Sequence, residues 1–485
     1  MNFLAAVREV ALASPSRPAL EDGELRLDYD QLWSLISRTS AWYRSQGLAP
    51  GDRVLVWLPN GVSFVAAHFG ALAAGLVSVP MKAENGPHEV ALALAETEPR
   101  LIVSEESLLE RARDLRWPAP LRLVTELPLS GDSLDLAPEP VAPNHPASLN
   151  YSYYFGEGRP HAAVLSHANY LNAGIGYAAF HRIVPEDRTL VVLPMPHVFT
   201  LGGALLASFL SGASVIVCRA LRPRSLLDAL VQTRATRFPC IPQVMLALAD
   251  YYDPTVHDLR LLKYFVSGAD YLPIATHRRI EEALGVTVVQ GYGLTECFPI
   301  TCSPPGERNR PGTLGVAGHA EVRLRTVDDT GHELAPGNEG EIEIASPTVM
   351  SGYWRAPEAT ARVLHDGWLR TGDRGHIDGD GYLHFAGMLK PIVNLNGNKV
   401  DMVEVARVVA ALPGVAAAEV TARMSDGGLL REVMIEAHVR LAPGATVSEK
   451  DVRQHCRRYL ASYKVPGAVV VEAAPVATHP GGDGV

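Results

Sequence analysis

Two side chains in the sequence are of types that could do acid–base or nucleophilic chemistry. His197, within Leu193-Pro194-Met195-Pro196-His197-Val198-Phe199, offers an imidazole that can take a proton as general base or donate to an oxyanion. Cys297, directly after Glu296, offers a thiol that can serve as a transient nucleophile. Plainer readings stand beside both and are preferred: His197 gates a pocket, and Cys297 is a small buried wall residue. His161, His167 and His181 lie close together, but their spacing fits no metal site, so solvated or loop roles and no bound metal are expected.

The elements that must position these groups follow from length and periodicity. A chain of 485 residues exceeds what one hydrophobic core usually serves, so a large and a small domain are expected. The formal charge of −10 gives no sign of a nucleic-acid or anionic-membrane surface, and neither partner is expected. Cys218, Cys240, Cys297, Cys302 and Cys456 are odd in number and form no C-x-x-C pair, which fits a reduced, cytoplasmic protein. No export signal and no membrane anchor are expected either.

Helices are expected over about 2 to 14, 30 to 46 and 61 to 75, the second stopped at Gly47. Strands are expected at Arg53–Pro59, Leu76–Pro80, Leu101–Val103, Thr189–Leu193, Ser214–Val217 and Val286–Val289. Strand alternating with helix is the mark of a parallel sheet covered by helices. After about residue 315 the pattern turns to hairpins, at Glu341–Ile344 and around Ile377–Leu383. The last hundred residues then read as a compact α+β unit, with helices from about Met402 to Leu412 and Ser448 to Leu460 flanking a strand from Val433 to Leu441.

Several strings occur in the order and at the spacing of the acyl- and aryl-adenylating (ANL) superfamily, which includes acyl-CoA synthetases, peptide-synthetase adenylation domains and luciferases. Gly51-Asp52-Arg53-Val54, Ala74-Gly75-Leu76-Val77-Ser78-Val79-Pro80 and the segment around His197 resemble its N-terminal half. Gly291-Tyr292-Gly293-Leu294-Thr295-Glu296 matches its G-Y-G-x-T-E signature letter for letter, and Gly367-Trp368-Leu369-Arg370-Thr371-Gly372-Asp373 follows at the expected distance. The resemblance covers nearly the whole chain. It implies a large N-terminal domain of helix-covered sheets, residues 1–386, and a small mobile α+β lid, residues 387–485. It also implies that Asp373 meets a ribose, Tyr292 an adenine, Thr295 a phosphate oxygen and Glu296 a Mg²⁺ ion.

Three departures from that family concern the nucleotide. The phosphate loop, roughly T-S-G-T-T-G-x-P-K-G, is here Tyr153-Tyr154-Phe155-Gly156-Glu157-Gly158-Arg159-Pro160-His161-Ala162. Glu157 sets a negative charge where phosphate oxygens belong, His161 stands in the lysine's place, and Tyr153, Tyr154 and Phe155 can fill the site. At the hinge, Gly387-Met388-Leu389-Lys390 has methionine where the family has an arginine. Near the end, Thr478-His479-Pro480-Gly481-Gly482 has glycine in place of the catalytic lysine, a loss worth roughly a hundred- to a thousandfold in rate. The thiol side is kept: Gly397-Asn398-Lys399-Val400 with Glu404 resembles the lid string in which a glycine lets a pantetheine arm pass.

The expectation drawn from these departures is an ATP-free acyltransferase. It would move an acyl or aryl group between a CoA thioester and the phosphopantetheine thiol of an acyl carrier protein, with no metal. His197 and Cys297 would be catalytic; Gly268, Gly291, Tyr292, Gly293, Gly397 and Lys390 would line the acyl and CoA path; Thr295, Glu296 and Asp373 would be vestigial nucleotide ligands. The alternatives are an ATP- and Mg²⁺-dependent acyl- or aryl-CoA (or carrier-protein) ligase and, further off, an inactive acyl-binding scaffold. The intact Gly291–Glu296 and Asp373 favour the ligase alternative.

Overall fold

The computed structural model describes residues 2–153, 157–219, 222–306, 308–318, 321–389, 392–395, 397–425 and 432–472. Lys390, the phosphate-loop residues Tyr154, Phe155 and Gly156, and Thr478–Gly482 lie outside the described residues. The architecture is mixed α/β, with two large helix-covered sheets and three smaller ones.

The first large sheet has six strands in the spatial order Leu121–Leu123, Leu101–Ser104, Arg53–Trp57, Val77–Met81, Pro146–Ser152 and His161–Ser166. All neighbours are parallel except the last pair, which is antiparallel. The phosphate-loop stretch is therefore the connection of an antiparallel hairpin. The apolar runs that predict buried strands at 53–57, 77–81 and 101–104 form as expected, almost every position being shut off from solvent.

The second large sheet has nine strands, with Ser214–Val217, Arg188–Val191, Arg237–Cys240, Tyr264–Ser267 and Val288–Leu294 parallel in its middle. Alternation along the strands sorts their side chains. Phe238 and Phe265 face the helices Pro223–Gln232, Pro242–Tyr251 and Ile274–Leu284, whereas Tyr264, Val266 and Val289 face a second cluster with Tyr177, Phe199 and Phe298. Val288–Leu294 runs past the sheet's parallel edge and folds back antiparallel onto Cys297–Cys302. Because Leu294 pairs with Cys297, Thr295 and Glu296 form the tip of a two-residue hairpin.

A five-stranded antiparallel sheet holds Gly340–Ala345, Trp368–Ile377 and Leu383–Met388. Its turn at Asp378–Tyr382 is closed by the Asp378 carboxylate, which accepts from the Asp380 and Tyr382 amides. Beyond it, Val415–Ser425, Glu432–Leu441 and Ala468–Glu472 form a three-stranded sheet under helices Met402–Ala410 and Glu449–Tyr459, with a core of its own. Asp401 and Ser448 cap these two helices through side-chain bonds to the Val403 and Asp451 amides.

Three expectations need correction. His161, His167 and His181 are neither solvated nor in loops: each is at most 2% exposed. Their rings pack on Tyr353, on His145 and Phe3, and on Tyr177 and Tyr264 respectively, so they serve as core aromatics. No group of three metal-ligating side chains occurs among the described residues. Burial, followed by the charge of Arg159, lowers the pKa of His161, so it stands in the lysine's position as a neutral ring.

Candidate active site

A cleft opens where the C-terminal ends of the central parallel strands meet the C-terminal sheet, the position at which open α/β sheets bind ligands. It encloses about 1270 Å³ of unfilled space, open solvent at its mouth included. Gly268, Gly291, Tyr292, Gly293, Thr295 and Gly397, all singled out from sequence, line it together with His197.

The hairpin Val288–Cys302 carries the signature segment Gly291–Glu296. The Tyr292 hydroxyl donates to Asp373 Oδ2 at 2.6 Å, tying the hairpin to the strand Trp368–Ile377. Glu296 is fully buried; its Oε1 accepts from the Tyr353 hydroxyl at 2.8 Å, and its Oε2 has no hydrogen-bond partner among the described residues. A buried carboxylate oxygen left open beside Thr295 suits a hard cation that keeps most of its ligands from water and phosphate, which is how Mg²⁺ is usually held. Gly293 is needed for packing: a Cβ there would lie 2.7 Å from the Phe298 ring, and one at Gly268 would lie 2.7 Å from Phe199.

His197 accepts from the Phe199 amide at 3.3 Å through Nδ1, which leaves Nε2 as the N–H in a neutral ring. Burial, then the nearby Lys82 and Lys399, push its pKa down to about 3, so at neutral pH it is a donor and a poor base. Cys297 falls outside the cleft. It is fully buried, its Sγ lies 3.3 Å from Thr348 Oγ1, and burial lifts its pKa to about 12, which removes the thiolate a nucleophile requires. Gly397 has φ +78°, and a Cβ there would meet Ile241 and Ala269 at 3.2 and 3.3 Å, so in this arrangement the glycine permits close packing of one unit on the other.

The lysines Lys82 and Lys464 carry no expectation from sequence. Lys82, at the end of the strand Val77–Met81, lines the cleft and donates to Asn398 Oδ1 at 2.8 Å; burial pulls its pKa down to about 8. Its place just past a parallel strand's C-terminal end was the available signal. Lys464 is fully buried, 2.7 Å from both Glu89 and Glu404, and donates to the Tyr153 hydroxyl at 2.7 Å; Tyr153 in turn donates to Glu404 at 2.5 Å. Burial alone would lower the Lys464 pKa, but Glu89, Tyr153 and Glu404 hold it well above the usual value. Burial raises that of Glu404 against the pull of Lys464.

The phosphate-loop stretch is thus tied to the C-terminal unit. The Gly158 amide donates to Asp401 Oδ2 at 2.6 Å, and Arg407 donates to the Gly158 and Glu157 carbonyls. Glu157 itself turns away to Arg362, at 2.7 Å. The expected bare negative charge at the phosphate site is therefore corrected to an ion-paired one. Tyr153 likewise does not fill the cleft with a loose aromatic ring; its hydroxyl joins the Lys464 cluster.

A nucleotide-type hairpin, a cleft at the ends of parallel strands and a small C-terminal α+β unit over it define an adenylating-type enzyme fold. The chain belongs to the AMP-binding enzyme family, whose model matches residues 7–354, and so to the ANL superfamily. It is 31% identical over 471 residues to a feruloyl-CoA synthase of Amycolatopsis sp, covering 95% of this chain and 92% of the relative. It is 29% identical to a 3-hydroxybenzoate–CoA ligase of Aromatoleum sp. (strain CIB), covering 93% and 89%. Among solved structures, an o-succinylbenzoate CoA synthetase from Bacillus subtilis matches in fold with a TM-score of 0.85 at 22% identity, covering 96% and 94%. These relatives correct the expected ATP-free acyltransferase: the two sequence relatives named above, matched over nearly the full length, are a CoA synthase and a CoA ligase, and a carrier-protein transferase has no support from them. No helix among the described residues is long and apolar enough to cross a membrane.

Proposed function

We propose that the protein is an ATP-dependent ligase that joins an acyl or aryl acid to coenzyme A through an acyl-adenylate. The observation that carries this reading is the hairpin tip: Tyr292 and Thr295 line one cleft, and Glu296, next in the chain, keeps a buried oxygen without a hydrogen-bond partner among the described residues. A chain with no use for a nucleotide and its cation would leave that oxygen unsolvated at a cost of about 1–3 kcal/mol or more. The name of the 31% identical relative, a feruloyl-CoA synthase, supports an aryl acid and CoA as reactants.

In the first half-reaction the substrate carboxylate attacks the α-phosphate of ATP, a P–O bond forms, and pyrophosphate leaves. Asp373, held by the Tyr292 hydroxyl, accepts from the ribose, the Tyr292 ring flanks the base, and Thr295 donates to a phosphate oxygen. Bound at Glu296, Mg²⁺ would offset the charge of the phosphates. Lys82 and Lys399 make the cleft electropositive toward two anionic reactants. In the second half the CoA thiolate attacks the acyl carbonyl and AMP leaves with its electron pair. The neutral His197, with its proton on Nε2, donates to the oxyanion that forms. The unit from residue 387 onward acts as the lid, and Gly397 admits the pantetheine arm when that unit moves.

The test is acid-dependent release of pyrophosphate from ATP and Mg²⁺ by purified protein, followed by CoA-dependent release of AMP. Both are expected with an aryl acid. Folded protein that releases no pyrophosphate with any of a broad set of acids would overturn the reading.

A further inference from the structure

Behind the acyl end of the cleft lies a buried cation that forms no ion pair among the described residues. Arg237 sits on the central strand Arg237–Cys240, is fully buried, and points to the face of the sheet opposite Phe238. Its Nη1 donates to Thr189 Oγ1 at 3.2 Å; Nε and Nη2 meet no well-aligned acceptor among the described residues, and the Tyr177 and Tyr264 hydroxyls are the groups within the guanidinium's reach. The acid that also acts on neighbouring Tyr264, Asp187, is committed to Lys263, to Thr236 and to the Val184 amide. Leaving a guanidinium buried without a counter-charge costs several kcal/mol, so a chain that keeps one there needs a partner that arrives from outside.

The route to it is the cleft. Tyr177, on the helix His167–Phe180, lines the cleft beside Phe298 and Val266, and Arg237 Cζ lies 5.7 Å from the centre of its ring. The Tyr177 hydroxyl is buried and faces the Arg237 guanidinium, while His181 Nε2, whose ring is 4.2 Å from that of Tyr177, has no hydrogen-bond partner among the described residues. Tyr177 thus carries a hydroxyl into the apolar wall it forms with Phe199, Phe298 and Val266, and Arg237 and His181 stand behind it without themselves lining the cleft. The Arg237 charge already reaches Tyr177, opposing the rise that burial imposes on its pKa.

We propose that this end of the pocket is a subsite for a second acceptor oxygen at the far end of the substrate acid, a carboxylate or a phenol, bound by the Tyr177 hydroxyl and the Arg237 guanidinium. The assignment deepens the ligase reading and rests on it for the identity of the ligand as an acid. It makes the preferred substrate an acid polar at both ends, in place of a fatty or plain aromatic one. A site built to hydrogen-bond such an oxygen rejects the analogue that lacks it far more sharply than an apolar pocket rejects an extra methylene.

The experiment measures acid binding without ATP or CoA, by titration calorimetry, on two matched series: benzoate, 4-hydroxybenzoate and terephthalate, and cinnamate, 4-hydroxycinnamate and 4-carboxycinnamate. One oxygen-bearing member is expected to bind at least about tenfold more tightly than its unsubstituted parent, and the better arm tells carboxylate from phenol. In Arg237→Met and in Tyr177→Phe that ratio is expected to fall toward one. Tyr177→Phe removes only a hydroxyl, keeps the ring that packs beside Phe298, and is the variant to rely on if Arg237→Met fails to fold. Equal affinities within both series, or a preference that survives in folded variants, would overturn the subsite. Oxygen-dependent binding without acid-dependent pyrophosphate release would instead defeat the ligase reading alone.

Discussion

On one side of the cleft, Gly291 to Glu296 form a hairpin whose polar contacts lie within the large body: Tyr292 with Asp373, and Glu296 with Tyr353. On the other side, Tyr153 and Gly158 hydrogen-bond to the C-terminal unit: Tyr153 to Glu404, 251 positions away, and Gly158 to Asp401, 243 positions away. The first wall is complete whatever the C-terminal unit does. The second is complete only while that unit is docked. The substituted phosphate loop suggests from sequence that ATP binding is lost; in the structure its residues Tyr153 and Gly158 are tied to the C-terminal unit.

Lys464 is where this difference can be broken most sharply. Replacing it with methionine leaves Glu89 and Glu404 buried with neither their shared cation nor water. Breaking a buried pair in this way typically costs about 3–5 kcal/mol, and Lys464→Met is expected to lower the urea midpoint accordingly. Glu404→Gln should cost less, since an amide oxygen still accepts from Lys464 and Tyr153. A Lys464→Met protein of unchanged stability would mean that the docked arrangement does not prevail in solution.

On the self-contained wall the expected loss is functional. Asp373→Asn removes the carboxylate that Tyr292 orients and that the proposed mechanism sets on the ribose. Hydrogen bonds to a charged group contribute about 1.5–3 kcal/mol, so kcat/KM for ATP should fall roughly ten- to a hundredfold while the urea midpoint moves little. A loss shared equally by ATP and CoA would contradict a role confined to the nucleotide.

Acid pH probes the large body as a whole. Burial holds the pKa values of His68, His167 and His197 at about 3, against roughly 6.5 in an unfolded chain. The unfolded state therefore binds protons below pH 6.5 that the folded state refuses, and stability declines as pH falls from about 6.5 toward 3. At pH 5 the loss reaches about 2 kcal/mol for each fully buried ring. Unfolding at pH 5 should take up protons, which calorimetry in buffers of different ionisation enthalpy detects. Unfolding without proton uptake would show that these rings are not buried and neutral.

Much of this was legible in the sequence, and what was missed has a common cause. The parallel strands at 53–57, 77–81, 101–104 and 214–217 and the helices of the C-terminal unit announce themselves through short-range periodicity. So does the Gly291–Glu296 hairpin, through a contiguous motif. Lys464, Glu89 and Arg237 carry no local signal, because what marks them is burial, and burial depends on segments distant in sequence. The three histidines misled for the same reason: their spacing says nothing of the aromatic rings around them. Cys297 follows the signature directly, yet strand alternation turns its side chain toward Thr348 and out of the cleft.

The smallest expected effect bears most directly on how the second wall meets ATP. Glu157 and Arg362 are each about half exposed, and such pairs contribute about 0–1 kcal/mol, so Glu157→Gln should leave stability almost unchanged. Its effect on ATP separates two geometries. If Glu157 faced the phosphates, removing its charge would relieve repulsion and lower the KM for ATP several-fold, more so at low salt. With the carboxylate turned to Arg362, the substitution frees that arginine beside Arg159 and Arg355, which border the same shallow hollow, and the KM for ATP should stay within about twofold. A several-fold gain would place Glu157 against the triphosphate and make the loop's acidity a brake on the first half-reaction, whereas a flat response assigns that residue to the surface and leaves the Tyr153–Glu404–Lys464 contact as the feature that sets the loop's position.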